Sequence, residues 1–496
     1  MPPQSLALVA TLVSFASHGN YLEMRLDHGS AELLWITPST FRFRRALEGA
    51  LPQVQRHEGQ PVPVETDDTP GALRTRSKFL EVTIEKHGLL VRVRRMDGAP
   101  LMADASEPRP SGGGVAWERR NLGARFYGLG PRTELSFDLR GKSLDTAEPF
   151  LISTAGCGEY HSTAGTYHFD FTAADRYQIQ APAVDYFFYY GPSLKQIFEE
   201  HHGLHGTSPA WQTANREASW TALQASFLRL VHGSMSAMLE PSFDLAAYAN
   251  APPEMQQRAR QIGSLVDDVS PGRVGLSGFR KQLDTFFATY AAELQERGFP
   301  IWHPLPFQFP EDAECALHAD EFMLGDEMLV APIYQPGRKR SLYLPQGSWT
   351  DLETNEVFRG RQTIAVETDA LPVFARNGTI VPLDSAAGMA LHYFPTLAAE
   401  FFLLETDPDG WSQVHAAPAA DIMRLEIEAR KERDYQWVVH HIDRPVAVGF
   451  EAHRYPEVSS RDRIPNDAWF YDAPHRNLHV RVHVAAGEIR IVNLSF

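Results

Sequence analysis

At 496 residues the chain is longer than one hydrophobic core usually organises, so about two to four domains are expected. Hydrophobic residues at 43% and charged residues at 22% exclude a largely disordered chain and a membrane-spanning one. A formal net charge of −16 repels phosphate backbones and anionic lipid, which excludes nucleic acid and membrane as partners while leaving neutral ligands unpenalised.

The apolar run Leu6 to Ala16 has no Lys or Arg before it and is too short to cross a bilayer, so it reads as a first strand, and a cytoplasmic protein follows. From there to about Tyr190, short β-type runs alternate with Gly, Asp and Pro breaks: Leu22 to Leu26, Ala31 to Ile36, Leu80 to Glu85 and Leu89 to Arg94. That spacing predicts a β-sandwich. Glu107 to Gly114 reads as a loop, and its glycines do not stand between a strand and a helix, so they form no phosphate cradle. Leu194 to His202 has helical spacing behind Ser193, a residue suited to cap it. Glu254 to Leu265 and Phe279 to Arg297 are further predicted helices. In the second, Phe279, Leu283, Phe286, Phe287, Tyr290 and Leu294 make an apolar stripe that predicts core burial. Strands return at Met328 to Ile333, Ser341 to Leu344, Thr363 to Val366 and Pro372 to Pro382, and a last β segment runs from about Ser385 to Phe496. It ends in the alternating runs Leu478 to Val484 and Glu488 to Leu494.

Three blocks in this order carry a family resemblance. The first is Arg125-Phe-Tyr-Gly-Leu-Gly130 with Phe150-Leu-Ile-Ser153, Asp185-Tyr-Phe-Phe-Tyr-Tyr-Gly-Pro-Ser193 and Gly206-Thr-Ser-Pro209. The second is Gly298-Phe-Pro-Ile-Trp-His-Pro-Leu305 with Asp320-Glu-Phe-Met-Leu-Gly-Asp-Glu-Met-Leu-Val-Ala-Pro332. The third runs from Tyr343-Leu-Pro-Gln-Gly-Ser-Trp-Thr-Asp351 to Pro372-Val-Phe-Ala-Arg-Asn-Gly-Thr-Ile-Val-Pro382. Together they resemble glycoside hydrolase family 31, the α-glucosidase and α-xylosidase family. The resemblance implies an N-terminal β-sandwich, a (β/α)8 barrel and C-terminal β-sandwiches. Pro209 to Ile333 leaves about 120 residues where such a barrel typically takes about 250. The expected fold is therefore multidomain and β-rich with a truncated barrel remnant: 1–191 N-terminal β-sandwich, 192–333 linker helix and remnant, 334–384 proximal and 385–496 distal C-terminal β domains.

A retaining glycosidase needs two carboxylates about 5–5.5 Å apart, one as nucleophile and one as acid/base. The resemblance places the nucleophile in a Trp-x-Asp-Met-Asn-Glu stretch, which follows none of the tryptophans here. It places the acid/base Asp shortly before a helix that starts at Trp220, and that position falls on Asn215, whose amide neither ionises nor transfers a proton near neutral pH. Glu217 lies within the register error. Phe243-Asp-Leu-Ala-Ala-Tyr248 stands for the family's Asp-Ile-Gly-Gly-Phe stretch, so Asp244 is kept, as a substrate-binding candidate with Trp220 or as a plain cap of a strand or helix end. The family's sugar-binding Arg and His give way to Asp267-Asp268-Val-Ser-Pro-Gly272, read as a solvated loop. Asp138-Leu-Arg-Gly-Lys-Ser-Leu-Asp145 runs almost straight to Phe150, a shortened lid.

His161 and His168 are expected on one hairpin and not as metal ligands, and the pairs His201-His202 and His440-His441 read the same way. Cys157 and Cys315 are too few for a disulfide framework and read as buried thiols. Gly275-Leu-Ser-Gly278 lacks the glycine spacing of a nucleophile elbow. No catalytic residue, metal or cofactor is assigned. Two functions remain open. One is a non-catalytic, carbohydrate-related binding or assembly module, whose open barrel edges call for self-association or a protein partner. The other is an active O-glycosyl hydrolase on a reduced barrel, using Asp244 with Glu217 or Asp138.

Overall fold

The computed structural model describes residues 9–54, 61–213, 217–266, 278–385, 388–407 and 409–496. The chain divides into two compact units, Met1–Ser208 with Met235–Met238, and Pro209–Ser234 with Leu239–Phe496.

The first unit is built on an eight-stranded antiparallel sheet. Its order is Leu12–His18, Tyr21–Leu26, Ser30–Thr37, Thr40–Ala46, Val184–Tyr190, Cys157–His161, Phe150–Ser153, Phe126–Gly128. Period-two alternation explains the pairing: Leu22, Met24 and Leu26 are buried while Glu23 and Arg25 face out. Two five-stranded sheets complete the unit. Trp35, Phe41 and Phe188 lie in its core, with the Phe41 and Phe188 rings stacked 5.1 Å apart. Arg119, wholly buried, is held by Asp104 at 3.1 Å and by Glu159. Helix α1, Leu194–His205, follows the last strand and is capped by the Ser193 side chain, which accepts from the Gln196 amide as the sequence suggests.

Several expectations need correction. The first strand begins at Leu12, and Leu6 itself lies outside the described residues. Glu107 to Gly114 is no plain loop: Arg109–Ser111 pairs with Gly114–Arg120, and Gly112 and Gly113 turn the chain at φ of 57° and 87°, values that cost glycine little. His161 and His168 do not share a hairpin. Cys157–His161 belongs to the eight-stranded sheet and Tyr167–Asp170 to a five-stranded one. The His161 ring fills the interior among Trp117, Tyr167, Phe169 and Tyr186, which requires its strand and the next to lie in different layers.

The second unit opens with a parallel pair, Trp211–Thr213 beside Pro241–Phe243, joined through helix α2, Trp220–Met235. Helix α3, Pro253–Gly263, follows. The predicted helix Phe279 to Arg297 is interrupted, giving α4, Gly278–Lys281, and α5, Asp284–Arg297. The break is fixed from afar: the Asp384 carboxylate accepts from the Thr285 amide and hydroxyl, both at 2.8 Å. Leu283, Phe286, Phe287, Tyr290 and Leu294 are buried as the stripe predicts, whereas Phe279 is half-exposed. The Phe286 ring stacks on Phe401 at 5.7 Å.

Sheets that are antiparallel apart from one pair, Gly388–Tyr393 beside Arg433–Val439, make up the rest. Trp302–Pro304 leads a six-stranded one rather than adding to the opening parallel pair. The run Pro372 to Pro382 splits into Val373–Arg376 and Ile380–Ser385, which enter different sheets around Asn377-Gly378. A five-stranded and a second six-stranded sheet carry the C-terminal strands, including Asn477–Val484 and Ile489–Ser495.

Candidate functional site

Ligands of parallel α/β units gather at the carboxyl ends of the strands. Here that end follows Thr213 and Phe243, which face each other in register. Asp244 stands immediately after Phe243 and is half-buried. Its carboxylate accepts from the Ala247 amide at 3.3 Å and caps the short 3-10 turn Leu245–Tyr248. The Thr213 hydroxyl accepts from the Asp244 amide and donates to the Ser242 carbonyl, each at 3.5 Å, tying the two strand ends together. Thr213 was missed in the sequence because a lone Thr at the end of a three-residue strand carries no motif.

Tyr248, buried and stacked on Phe243 at 5.7 Å, closes the turn from below, and burial pushes its hydroxyl pKa up. Glu217 is exposed, and Trp220 is half-buried as the first residue of α2. Asn215, the Asp267-Asp268 loop and Gly275-Leu-Ser277 lie outside the described residues. Asp138, in the first unit, accepts from Arg140 Nε at 2.9 Å and Nη2 at 2.6 Å. Arg258 of α3 is also engaged: its guanidinium donates to the carbonyls of Gly337, Thr368, Asp369 and Ala370 and clamps two loops.

The histidines are likewise committed. Burial and Arg119 hold His161 well below the usual imidazole range. The His201 ring stacks on Phe150 at 4.3 Å, and a His440 ring nitrogen lies 3.0 Å from His392. Among the described residues no group of three or more His, Cys, Asp or Glu could hold a metal ion. Cys157 and Cys315 are free and buried, as expected.

The Glycosyl hydrolase family 31 C-terminal domain model matches residues 298–381, from Gly298 through the strand Val373–Arg376. Alpha-glucosidase 2 of Bacillus thermoamyloliquefaciens is 30% identical over 151 residues, which are 28% of this chain and 19% of that one. Residues 298–381 thus carry the family 31 C-terminal domain.

Neutral alpha-glucosidase AB of Mus musculus is 37% identical over 108 residues, covering 21% of this chain and 11% of its own length. The matched part thus spans 19% or less of these curated relatives. A family 31 dextranase of Flavobacterium johnsoniae, complexed with isomaltotriose, superposes with a TM-score of 0.82 at 13% identity, covering 99% of this chain and 100% of that chain. At such identity the likeness is one of fold. No helix among the described residues is long and apolar enough to cross a membrane.

Proposed function

We propose that this chain is a family 31, carbohydrate-related binding or assembly module that turns over no glycoside, on a truncated barrel remnant within 192–333, flanked by β domains at 1–191, 334–384 and 385–496. One observation carries the reading. At the carboxyl end of the parallel pair the matched Asp244 carboxylate caps the Leu245–Tyr248 turn. Double displacement needs a second carboxylate about 5–5.5 Å from the first, and the position matched to the acid/base is the amide Asn215. Truncation of the barrel leaves strand edges that self-association or a protein partner would cover.

The test is nitrophenol release from α-glucosides, α-xylosides and α-galactosides by the purified chain. We expect no rate above a buffer blank. Turnover that disappears in Asp244→Ala would overturn the proposal and establish the active O-glycosyl hydrolase in its place.

A further inference from the structure

A cleft of about 550 Å³ lies in the first unit, bounded by the Thr37 to Ser39 turn, the tip at Phe79, the strand end at Tyr190 and one face of α1. We propose that it is a binding site for a neutral sugar, with a pyranose ring stacked on the aromatic wall and its hydroxyls donated to Glu200.

Its volume falls in the range of roughly 300–1,000 Å³ typical of small-ligand sites. Phe79 is 39% exposed and its ring centre sits 6.4 Å from that of the partly buried Tyr190, so two tilted aromatic side chains line the same wall of the cleft. Such rings match the apolar C–H face of a sugar. An organic cation is the other ligand an aromatic wall attracts, and tetramethylammonium serves below as the competing probe.

On the polar side, Glu200 accepts hydroxyl donations from Thr37 at 3.1 Å, Thr40 at 2.6 Å and Ser39. Three neutral donors fix the carboxylate in place without cancelling its charge, which leaves a preorganised acceptor for the hydroxyls of a ligand.

An independent observation comes from Gly203, on α1 and in the lining of the cleft. Glycine is a poor helix former, and packing does not require it here, since an added Cβ would meet nothing within 4 Å. What its missing side chain preserves is open space in the cleft.

The choice of sugar probes rests on the carbohydrate-related function proposed above. The full chain is titrated calorimetrically with isomaltotriose and with maltotriose, beside Gly203→Leu and Phe79→Ala. We expect one of the sugars to bind with a Kd of about 1 mM and both variants to weaken it by about tenfold or more. Gly203→Leu should do so with an unchanged or higher melting temperature, because leucine favours the helix. Absence of binding to the unmodified chain, persistence in either variant, or tighter binding of tetramethylammonium than of sugar overturns the proposal. Turnover in the nitrophenol assay would sink the non-catalytic reading alone, since Gly203 and Phe79 belong to the first unit and Asp244 to the second.

Discussion

Single residues decide the chemistry. Asn215→Asp supplies a carboxylate at the matched acid/base position, yet a double displacement also needs a nucleophile. We expect nitrophenol release to stay at the blank level in this variant, and a recovered rate would reveal a nucleophile elsewhere in the chain. The capping role of Asp244 was legible, because an Asp before a short apolar run is a familiar cap. The state of Glu327 was not. Its motif could be read, but its burial depends on α5, from which Tyr290 donates to it at 2.7 Å. Burial, then the Asp326 charge, pushes its pKa from 4.5 up to about 8. A carboxyl with a raised folded-state pKa contributes stability that is present below 4.5 and is lost as pH rises through about 8. Each tenfold change in proton affinity is worth about 1.4 kcal/mol. Glu327→Gln keeps the acceptor oxygen for Tyr290 and cannot ionise. Urea midpoints at pH 5 and pH 8.5 should therefore fall in the wild type and change less in the variant, and equal slopes would refute the assignment.

At the level of elements, pattern and period gave the strands that alternate cleanly, Leu22 to Leu26 and Leu80 to Glu85 among them, and the helices α1 and α3, because local alternation and helical spacing determine them. The interruption before α5 escaped, since its cap comes from Asp384, 99 residues away in sequence from Thr285. The two strands of Pro372 to Pro382 escaped for a similar reason: Asn377-Gly378 looks like a turn, but only the sheets on either side tell which way each half goes. The buried face of α5 allows a graded test. Phe286 is fully buried against Phe401, and Phe→Ala changes in cores cost about 3–5 kcal/mol, so Phe286→Asp should lower the melting temperature severely. Phe287 carries the Arg280 guanidinium 3.9 Å from its ring, so an Asp there gains a nearby countercharge. Phe287→Asp should hence be the milder of the two in a thermal melt. If neither variant shifts the transition, α5 does not pack as described.

On the scale of the whole molecule, the family blocks were legible because they fall on regular strands, whereas the division into two compact units depends on contacts that only the folded chain displays. Two units with separate cores need not melt together. Calorimetry should give a measured unfolding enthalpy larger than the van't Hoff value, with Phe286→Asp displacing only part of the heat absorption. A single two-state transition that moves as one would contradict this. The eight-stranded sheet also has a history written into its order. Thr40–Ala46 pairs with Val184–Tyr190, Phe43 opposite Tyr186, so its inner edge has no partner until a much later stretch of chain has been synthesised. At about 5–20 residues per second the ribosome leaves that edge waiting on the order of 10 s. An unpaired strand edge recruits whatever β-forming chain is nearby, including a neighbouring nascent copy. Soluble yield in a cell should then depend on translation speed and chaperone supply, and slower growth temperatures should change it more than any gain in final stability would.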